Sequence, residues 1–380
     1  MRPSTLLHGR IRIPGLTPNA HPPAAYLSLQ DSISTVTDFL REGAAPGGGG
    51  TVCLTGAGVS VDSGIRAYRG KDGSYTINKK HRPIFFNEFI EQESKRRRYW
   101  ARSYLGYPPV RVAESNPTHY AIGALLKMGY ITSLITQNVD GLHHKAHDTN
   151  LTTYLSPSTI PPSSTLPPPT PDPPILELHG TLRHAHCLSC DAPVGRDAFQ
   201  DRLSELNPAW AGYLEEVMRG ERSEKLNPDG DVELGEGVRY EEFVVPSCER
   251  CGGDMKPRVT FFGESLSPST RSLATHLIAQ NTQLLIIGSS LATFSAFRLV
   301  KAMKEAGGRV GLLNVGESRG DPLCDWRVGW EGGAGEVLPD VARRLLGEKE
   351  WEMDMEEREE VERMLRSGVV KKVGKGGPTT

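Results

Sequence analysis

No uninterrupted apolar run in this chain approaches the roughly 20 residues that cross a bilayer, so the sequence predicts neither a membrane span nor a membrane partner. Net charge is nearly absent. The formal value is -2 with 24% charged residues, which argues against a nucleic-acid partner and against an acidic-tail protein. Cysteine is scarce at six in 380 residues, too few and too clustered for a secreted disulfide scaffold. Acid is missing altogether before Asp31, while Arg2, Arg10 and Arg12 fall in the same stretch. That is the composition of a mitochondrial presequence, and it points to the matrix. Five prolines there weaken an amphipathic helix, and a disordered leader is the alternative. Residues 1–30 are therefore set outside the fold.

What is present alternates between strand and helix signals. A glycine loop at 46–50 leads into the β-rich run 52–55, then Gly56, Ala57 and Gly58, then a segment able to begin a helix. Further short apolar runs at 131–136, 175–178, 284–288 and 310–313 read as buried parallel strands. Asn116 and Pro117 form a cap and first turn for a helix that Gly129 stops. Segments 271–279 and 296–306 read as helices in the same way. The alternation predicts an α/β fold with a doubly wound sheet, whose strand ends open on a ligand crevice. Cys53, inside an apolar run, is expected to be a core residue.

Two regions break the pattern. Residues 155–174 hold nine prolines among Ser and Thr and predict an exposed insert without a core. Residues 187–251 carry the paired cysteines and read as a small separate module. From Glu348 the chain becomes highly charged, which predicts a solvated helix followed by a frayed end with Lys371, Lys372 and Lys375.

The strongest physical signal is the pair of Cys-x-x-Cys knuckles, Cys187 with Cys190 and Cys248 with Cys251. Four thiolates close a tetrahedral zinc site and leave no open position, so the ion would be structural. Redox activity is the alternative for such a motif. The segment GAGVSVDSGI at 56–65 offers glycines for close backbone approach to a pyrophosphate and free amides at a helix start. It is not the dehydrogenase fingerprint, because the third glycine stands at 64 rather than 61. TQNVD at 136–140 places Gln137, Asn138 and Asp140 at a strand end, where they could fix a ribose and a carboxamide or merely cap a turn. His179 ends another strand beside Gly180, exposed enough for a base whose reference pKa suits neutrality. Gly288, Ser289 and Ser290, and later Asn314, Val315 and Gly316, close two more strands with small residues that make room for a nucleotide.

Taken in order, GAGVSVDSGI, TQNVD, LHG at 178–180, the two cysteine pairs, FFGE at 261–264, GSSL at 288–291 and NVG at 314–316 resemble the sirtuin family over roughly residues 50–345. RYWAR at 98–102, LNPDGDV at 226–232, and Cys251 to Gly253 with Lys256 and Pro257 are similar to the mitochondrial class II, sirtuin-four type. The resemblance implies a catalytic domain at 31–345. It combines a Rossmann-like large domain with a small zinc-binding domain at about 181–257, followed by a charged tail at 346–380. It implies NAD as consumed co-substrate, one structural zinc ion, and acyl-lysine proteins as partners. The reaction is transfer of the acyl group from lysine to ADP-ribose with release of nicotinamide. His179 would be general base, with Asn138 and Asp140 placing ribose, water and nicotinamide. Gly56, Ala57, Gly58, Ser60, Gly64, Tyr68, Arg69, Tyr75, Gln137, Val139, Gly288, Ser289, Ser290, Asn314, Val315, Gly316 and Ala334 would complete the NAD site. Val259, Phe261, Phe262 and Gly263 would pair with substrate backbone as an added strand.

One departure stands out. The family usually carries Ile-Pro-Asp where this chain has Ile65, Arg66 and Ala67, which bears on the rigidity of the cofactor loop. Tyr99 and Arg102 have the spacing with which some sirtuins grip acidic acyl groups, and a guanidinium pairs well with a carboxylate. They predict a preference for acidic or branched acyl-lysines, against the alternative of a surface helix in a basic run. Two other functions share these motifs: a protein mono-ADP-ribosyltransferase using the same NAD site, and a non-catalytic NAD sensor.

Overall fold

The computed structural model describes residues 28–69, 73–74, 82–147, 175–221, 237–349 and 352–371. The leader as far as residue 27, Tyr75, the proline-rich insert, the 226–232 segment and the last nine residues lie outside them. Chain order runs α1 (Leu29–Ala44), β1 (Thr51–Thr55), a short 3-10 turn (Ala57–Ser60), α2 (Phe86–Glu91), α3 (Glu93–Arg111), α4 (Pro117–Lys127), β2 (Ser133–Thr136), α5 (Leu142–Ala146) and β3 (Ile175–Glu177). It continues with β4 (Gly180–Cys187), β5 (Pro193–Gly195), α6 (Arg196–Leu206), α7 (Pro208–Met218), β6 (Met255–Val259), α8 (Pro268–Ala279), β7 (Gln283–Ile287), α9 (Phe294–Glu305), β8 (Arg309–Leu313), β9 (Trp326–Val328), α10 (Ala334–Glu348) and α11 (Met355–Arg366).

The large sheet has the order β3-β2-β1-β7-β8-β9, every pairing parallel. Connections after β1 run one way and those after β7 the other, so the strand order reverses between these two neighbours. Such a switch point opens a crevice at the carboxyl ends of the strands. β1, β2, β3 and β7 are buried along their whole length. Their near-continuous apolar runs follow from having helices on both faces. One core holds Ile33 and Phe39 of α1, Leu125 of α4 and Val341 and Leu345 of α10, with Cys53 of β1 among them. The opposite core packs Leu273 and Leu277 of α8 and Leu299 and Met303 of α9 on the sheet.

A three-stranded antiparallel sheet, β5-β4-β6, forms the smaller unit. Its core takes Phe199, Trp210 and Phe243 from the cysteine-bearing segment, and also Phe89, Trp100 and Tyr104 from α2 and α3. The module is thus assembled from two stretches of chain, with α2 and α3 added to the 181–257 segment.

The tail departs from the solvated helix expected of it. α11 buries Val361, Met364 and Leu365, and Val361 and Leu365 join the core formed by α1, α4 and α10. Lys127 and Glu360 pair at 2.6 Å across the α4 contact. The spacing 361, 364, 365 is one apolar helical face inside an otherwise charged segment. No helix among the described residues is long and apolar enough to cross a membrane.

Candidate active site

The carboxyl ends of β1, β2, β3 and β7 meet at the switch point, and hydrogen bonds tie their polar residues into one layer. Asn138 donates through Nδ2 to the Gly56 carbonyl at 3.2 Å and to Ser60 Oγ at 3.0 Å. Ser60 in turn donates to Asp140 Oδ2 at 2.8 Å. Gln137 Nε2 donates to the Thr55 carbonyl and, at 2.7 Å, to Ser289 Oγ. Gly58 N–H reaches the Gly288 carbonyl, and Gly288 N–H the Leu313 carbonyl, which brings the strand end at Asn314 into the same row. A Cβ at Gly58 would stand 2.7 Å from the Gly288 carbonyl oxygen. The glycine there lets two strand ends meet, a different need from the pyrophosphate approach read in the sequence.

His179 follows β3 and is half-buried. Its Nδ1 lies 3.1 Å from the Gln137 carbonyl oxygen, which can only accept, so Nδ1 carries the proton. Nε2 is then the basic atom, and Ser295 Oγ lies 2.8 Å from it. Burial lowers the His179 pKa to about 4, with the Gln137 carbonyl opposing the shift. The ring is therefore a neutral acceptor at physiological pH, in the tautomer a base at Nε2 requires. Its own carbonyl accepts from Thr260 N–H at 2.7 Å, and the next residue, Gly180, pairs with Val259. His179 thus stands where the large sheet passes into the small module, with its backbone directly beside Thr260.

Asp140 shares the layer with buried groups to which the sequence reading gave no role, Glu177, His119 and His143. Burial raises the Asp140 carboxyl, while the Leu142 amide and Ser60 hydroxyl pull it back. Burial, with the neighbouring Asp140 charge, pushes Glu177 up to about 8. The His119 and His143 rings meet edge-to-face with centroids 4.7 Å apart, and burial lowers both pKa values, His119 to about 3. They are neutral donors to the site: His119 Nε2 lies 3.4 Å from Ser60 Oγ and His143 Nε2 3.0 Å from Thr55 Oγ1. Ser295 and Thr293, whose hydroxyl donates to Gln137 Oε1, were also missed, because the sequence started that helix at residue 296. Leu291, fully buried in GSSL, holds φ +51, a region that costs a non-glycine residue about 1–2 kcal/mol.

The remaining expected residues are dispersed around this layer. Gly64, Tyr68 and Arg69 follow it on a loop, with Tyr68 exposed. Ser290 accepts from Arg319 N–H at its rim, and the Val139 carbonyl accepts from Leu182 N–H. Asn314 Nδ2 donates to the Gly316 carbonyl, Val315 is exposed, and Ala334 begins α10. Phe261 and Tyr99 rings lie 4.8 Å apart, and Phe261 packs on Phe89 at 4.9 Å. Phe262 is partly exposed, with its carbonyl bound to Phe86 N–H. Arg102 is buried on α3. Beneath Phe261, Lys256 pairs with Glu264 at 3.0 Å while only 3% exposed, and Glu264 Oε2 accepts from Phe261 N–H at 2.7 Å.

The four expected thiols converge. Cys187 and Cys251 sulfurs are 3.4 Å apart, Cys190 and Cys248 3.7 Å, and all four lie within 4.8 Å of one another. Tetrahedral zinc with Zn–S bonds of about 2.3 Å has S···S edges of about 3.8 Å, so the four donors fit that ion.

Residues 56–154 and 171–295 match the Sir2 family. The chain belongs to that family. This sirtuin is 39% identical over 321 residues to NAD-dependent protein deacylase SIR4 of Batrachochytrium dendrobatidis, covering 84% of this chain and 96% of the relative. It is 33% identical to NAD-dependent protein lipoamidase sirtuin-4, mitochondrial, of Homo sapiens, covering 75% and 80% of the two chains. A solved Sir2 homologue in complex with NAD has the same fold, with a TM-score of 0.55 at 24% identity over 83% of this sirtuin and 94% of that chain. The gap in the family match, residues 155–170, falls within the proline-rich segment.

Proposed function

We propose that this sirtuin is an NAD-dependent protein-lysine deacylase with His179 as its general base. The observation that carries the reading is the imidazole itself. It is neutral, its Nδ1–H is fixed by the carbonyl of Gln137, the residue before Asn138, and its Nε2 lies 2.8 Å from Ser295 Oγ. In the reaction the acyl oxygen of a modified lysine attacks ribose C1′ and nicotinamide leaves. His179 Nε2 takes a proton from a ribose hydroxyl, whose oxygen then attacks the acyl carbon. Water completes release of lysine and acyl-ADP-ribose. Asn138 and Asp140 position ribose, water and nicotinamide, and Gln137 holds the ribose. The 56–64 turn receives the phosphates, and the small residues at 288–290 and 314–316, with Ala334, receive the rest of the nucleotide. The 259–263 segment holds substrate backbone as a strand.

Zinc on the four cysteines would contribute folding energy and no chemistry, since four protein ligands leave no open position. Tyr99 and Arg102, on the helix under Phe261, support acidic acyl-lysines as substrates. The lipoamidase names of the bovine and human relatives add lipoyl-lysine to the panel worth testing. Those same names, with the acid-free leader, support a mitochondrial matrix location, which import of the leader fused to a reporter would test.

The deciding experiment is an NAD-cleavage assay of the purified protein with acetyl-, glutaryl- and lipoyl-lysine peptides, run beside His179→Tyr. Nicotinamide release that requires the acyl peptide and disappears in the variant is expected. Release without an acyl peptide would instead favour ADP-ribosyl transfer, and binding without turnover a sensor. Faster removal of acetyl than glutaryl would refute the acyl assignment.

A further inference from the structure

The last described residues return to the NAD loop. After α11, the chain runs back across the start of α4. Gly368 has φ +116, and a Cβ there would lie 2.6 Å from the Pro117 nitrogen, so only glycine passes this point without strain. Val369 N–H then donates to the Ser115 carbonyl at 3.1 Å, and Lys371 N–H to the Asp62 carbonyl at 2.6 Å. Ser63 and Lys371 form a parallel β-bridge.

The same loop is held from two other directions. Asn116 Nδ2 donates to the Val59 carbonyl at 2.7 Å and to Ser63 Oγ at 3.0 Å. The Asp62 carboxylate lies against the first turn of α10, where a Cβ on Gly335 would come within 2.8 Å of it. Two residues before Asp62, Ser60 makes the hydrogen bond to Asp140. A shift of the 61–64 backbone would therefore move the hydroxyl that joins the loop to the catalytic layer. The anchor is firm at its far end as well, because α11 buries Val361, Met364 and Leu365 and the Arg343 guanidinium donates to the Leu365 carbonyl at 3.2 Å.

We propose that residues 367–371 are a working part of the NAD site: a main-chain strap, anchored by α11, that holds the 59–64 loop in its nucleotide-accepting shape. This rests on the reading that the loop receives NAD. The strap lies beyond the residues that match the Sir2 family, which end at 295. Its effect is preorganisation. A loop already ordered does not have to be ordered by the ligand, and affinity falls with the fraction of competent loop when the strap is released. The prediction is a change in NAD affinity with little change in turnover at saturating NAD.

The test is calorimetric titration of NAD into wild type, Lys371→Pro, Val369→Pro and Lys371→Ala, with steady-state kinetics on an acyl-lysine peptide. Each proline deletes one strap N–H, and a main-chain hydrogen bond is worth about 1 kcal/mol net, so each should weaken NAD by about five- to ten-fold. The peptide KM, zinc content and saturated turnover should stay within about two-fold of wild type. Lys371→Ala keeps the N–H and should bind NAD like the wild type, since the bond belongs to the backbone. NAD affinity unchanged in both proline variants would overturn the proposal, as would Lys371→Ala behaving like Lys371→Pro. A wild type that fails to bind NAD would sink the parent reading instead, and with it the strap's role in NAD binding.

Discussion

The ionisation of His179 offers the sharpest check on the site. An unperturbed imidazole titrates at 6.5, and burial takes this one to about 4 against the opposing pull of the Gln137 carbonyl. That difference corresponds to about 3 kcal/mol of bias against the imidazolium. A base needs its lone pair, so the shift keeps Nε2 competent across the physiological range instead of half-blocked near pH 6.5. The linkage has a definite sign. Folding favours the neutral ring, so the stability it contributes is complete above 6.5 and is lost as pH falls from there toward 4. The measurement is an NMR titration of histidine-labelled protein, with the resonance assigned by its disappearance in His179→Tyr. The folded, NAD-free protein should show a His179 resonance that is flat from about pH 8 to 5.5, and kcat/KM should have no acidic limb from this group above about pH 5. A midpoint at or above pH 6 in the folded protein would refute the burial argument, and with it the claim that the ring is neutral at physiological pH.

Three further outcomes follow from other parts of the molecule. Cys248→Ser leaves three thiolates around the zinc position, so metal analysis should show loss of the ion and calorimetry a lower Tm; retained zinc with unchanged Tm would contradict a four-thiolate structural site. Glu177 is pushed from 4.5 to about 8 chiefly by burial, so folding favours its protonated form, and stability should decline as pH rises from 4.5 to 8; Glu177→Gln should flatten that slope, and equal slopes in the two proteins would refute it. Lys256→Met strands a largely buried Glu264 and should destabilise by about 3 kcal/mol while raising the peptide KM, because Glu264 also holds the Phe261 amide. Replacing both partners should cost less than the sum of the single changes by denaturant unfolding, and strict additivity would argue against the pair.

Much of the layout was legible because its physics is local. Apolar runs flanked by Gly and polar residues marked every strand around the crevice, and two Cys-x-x-Cys knuckles marked the metal position without help from tertiary context. The residues read at strand ends, from Gly58 and Gln137 to His179 and Ser289, do lie in adjoining rows of the sheet. What escaped depends on distant packing. Ser295 meets His179 only because α9 starts at Phe294, two residues before the expected point, and its first turn faces across the crevice. Nothing in 86–111 shows that Phe89 and Trp100 would complete the core of a module whose other half lies a hundred residues on. The tail was misread for a different reason. Its charged composition hid the apolar face at 361, 364 and 365, a periodic signal that composition alone cannot register.

The arrangement also explains why a metal without catalytic chemistry belongs in this enzyme. β4 starts one residue after His179 and ends at Cys187, so one strand joins His179 to the four-cysteine cluster. β6 begins four residues after Cys251 and ends at Val259, two residues ahead of Phe261. These two strands pair with each other, and Thr260 N–H closes the ladder on the His179 carbonyl. An ion that fixes one end of the β4–β6 pair therefore fixes, at the other end, the distance between His179 and the 260–263 segment, which on the proposed reading are the base and the substrate strand. Loosening the thiolates should misplace both halves of the reaction together, so peptide KM and kcat should deteriorate in step in a partly demetallated enzyme. NAD affinity, which the proposed reading assigns to the switch-point loops of the large sheet, should be largely spared.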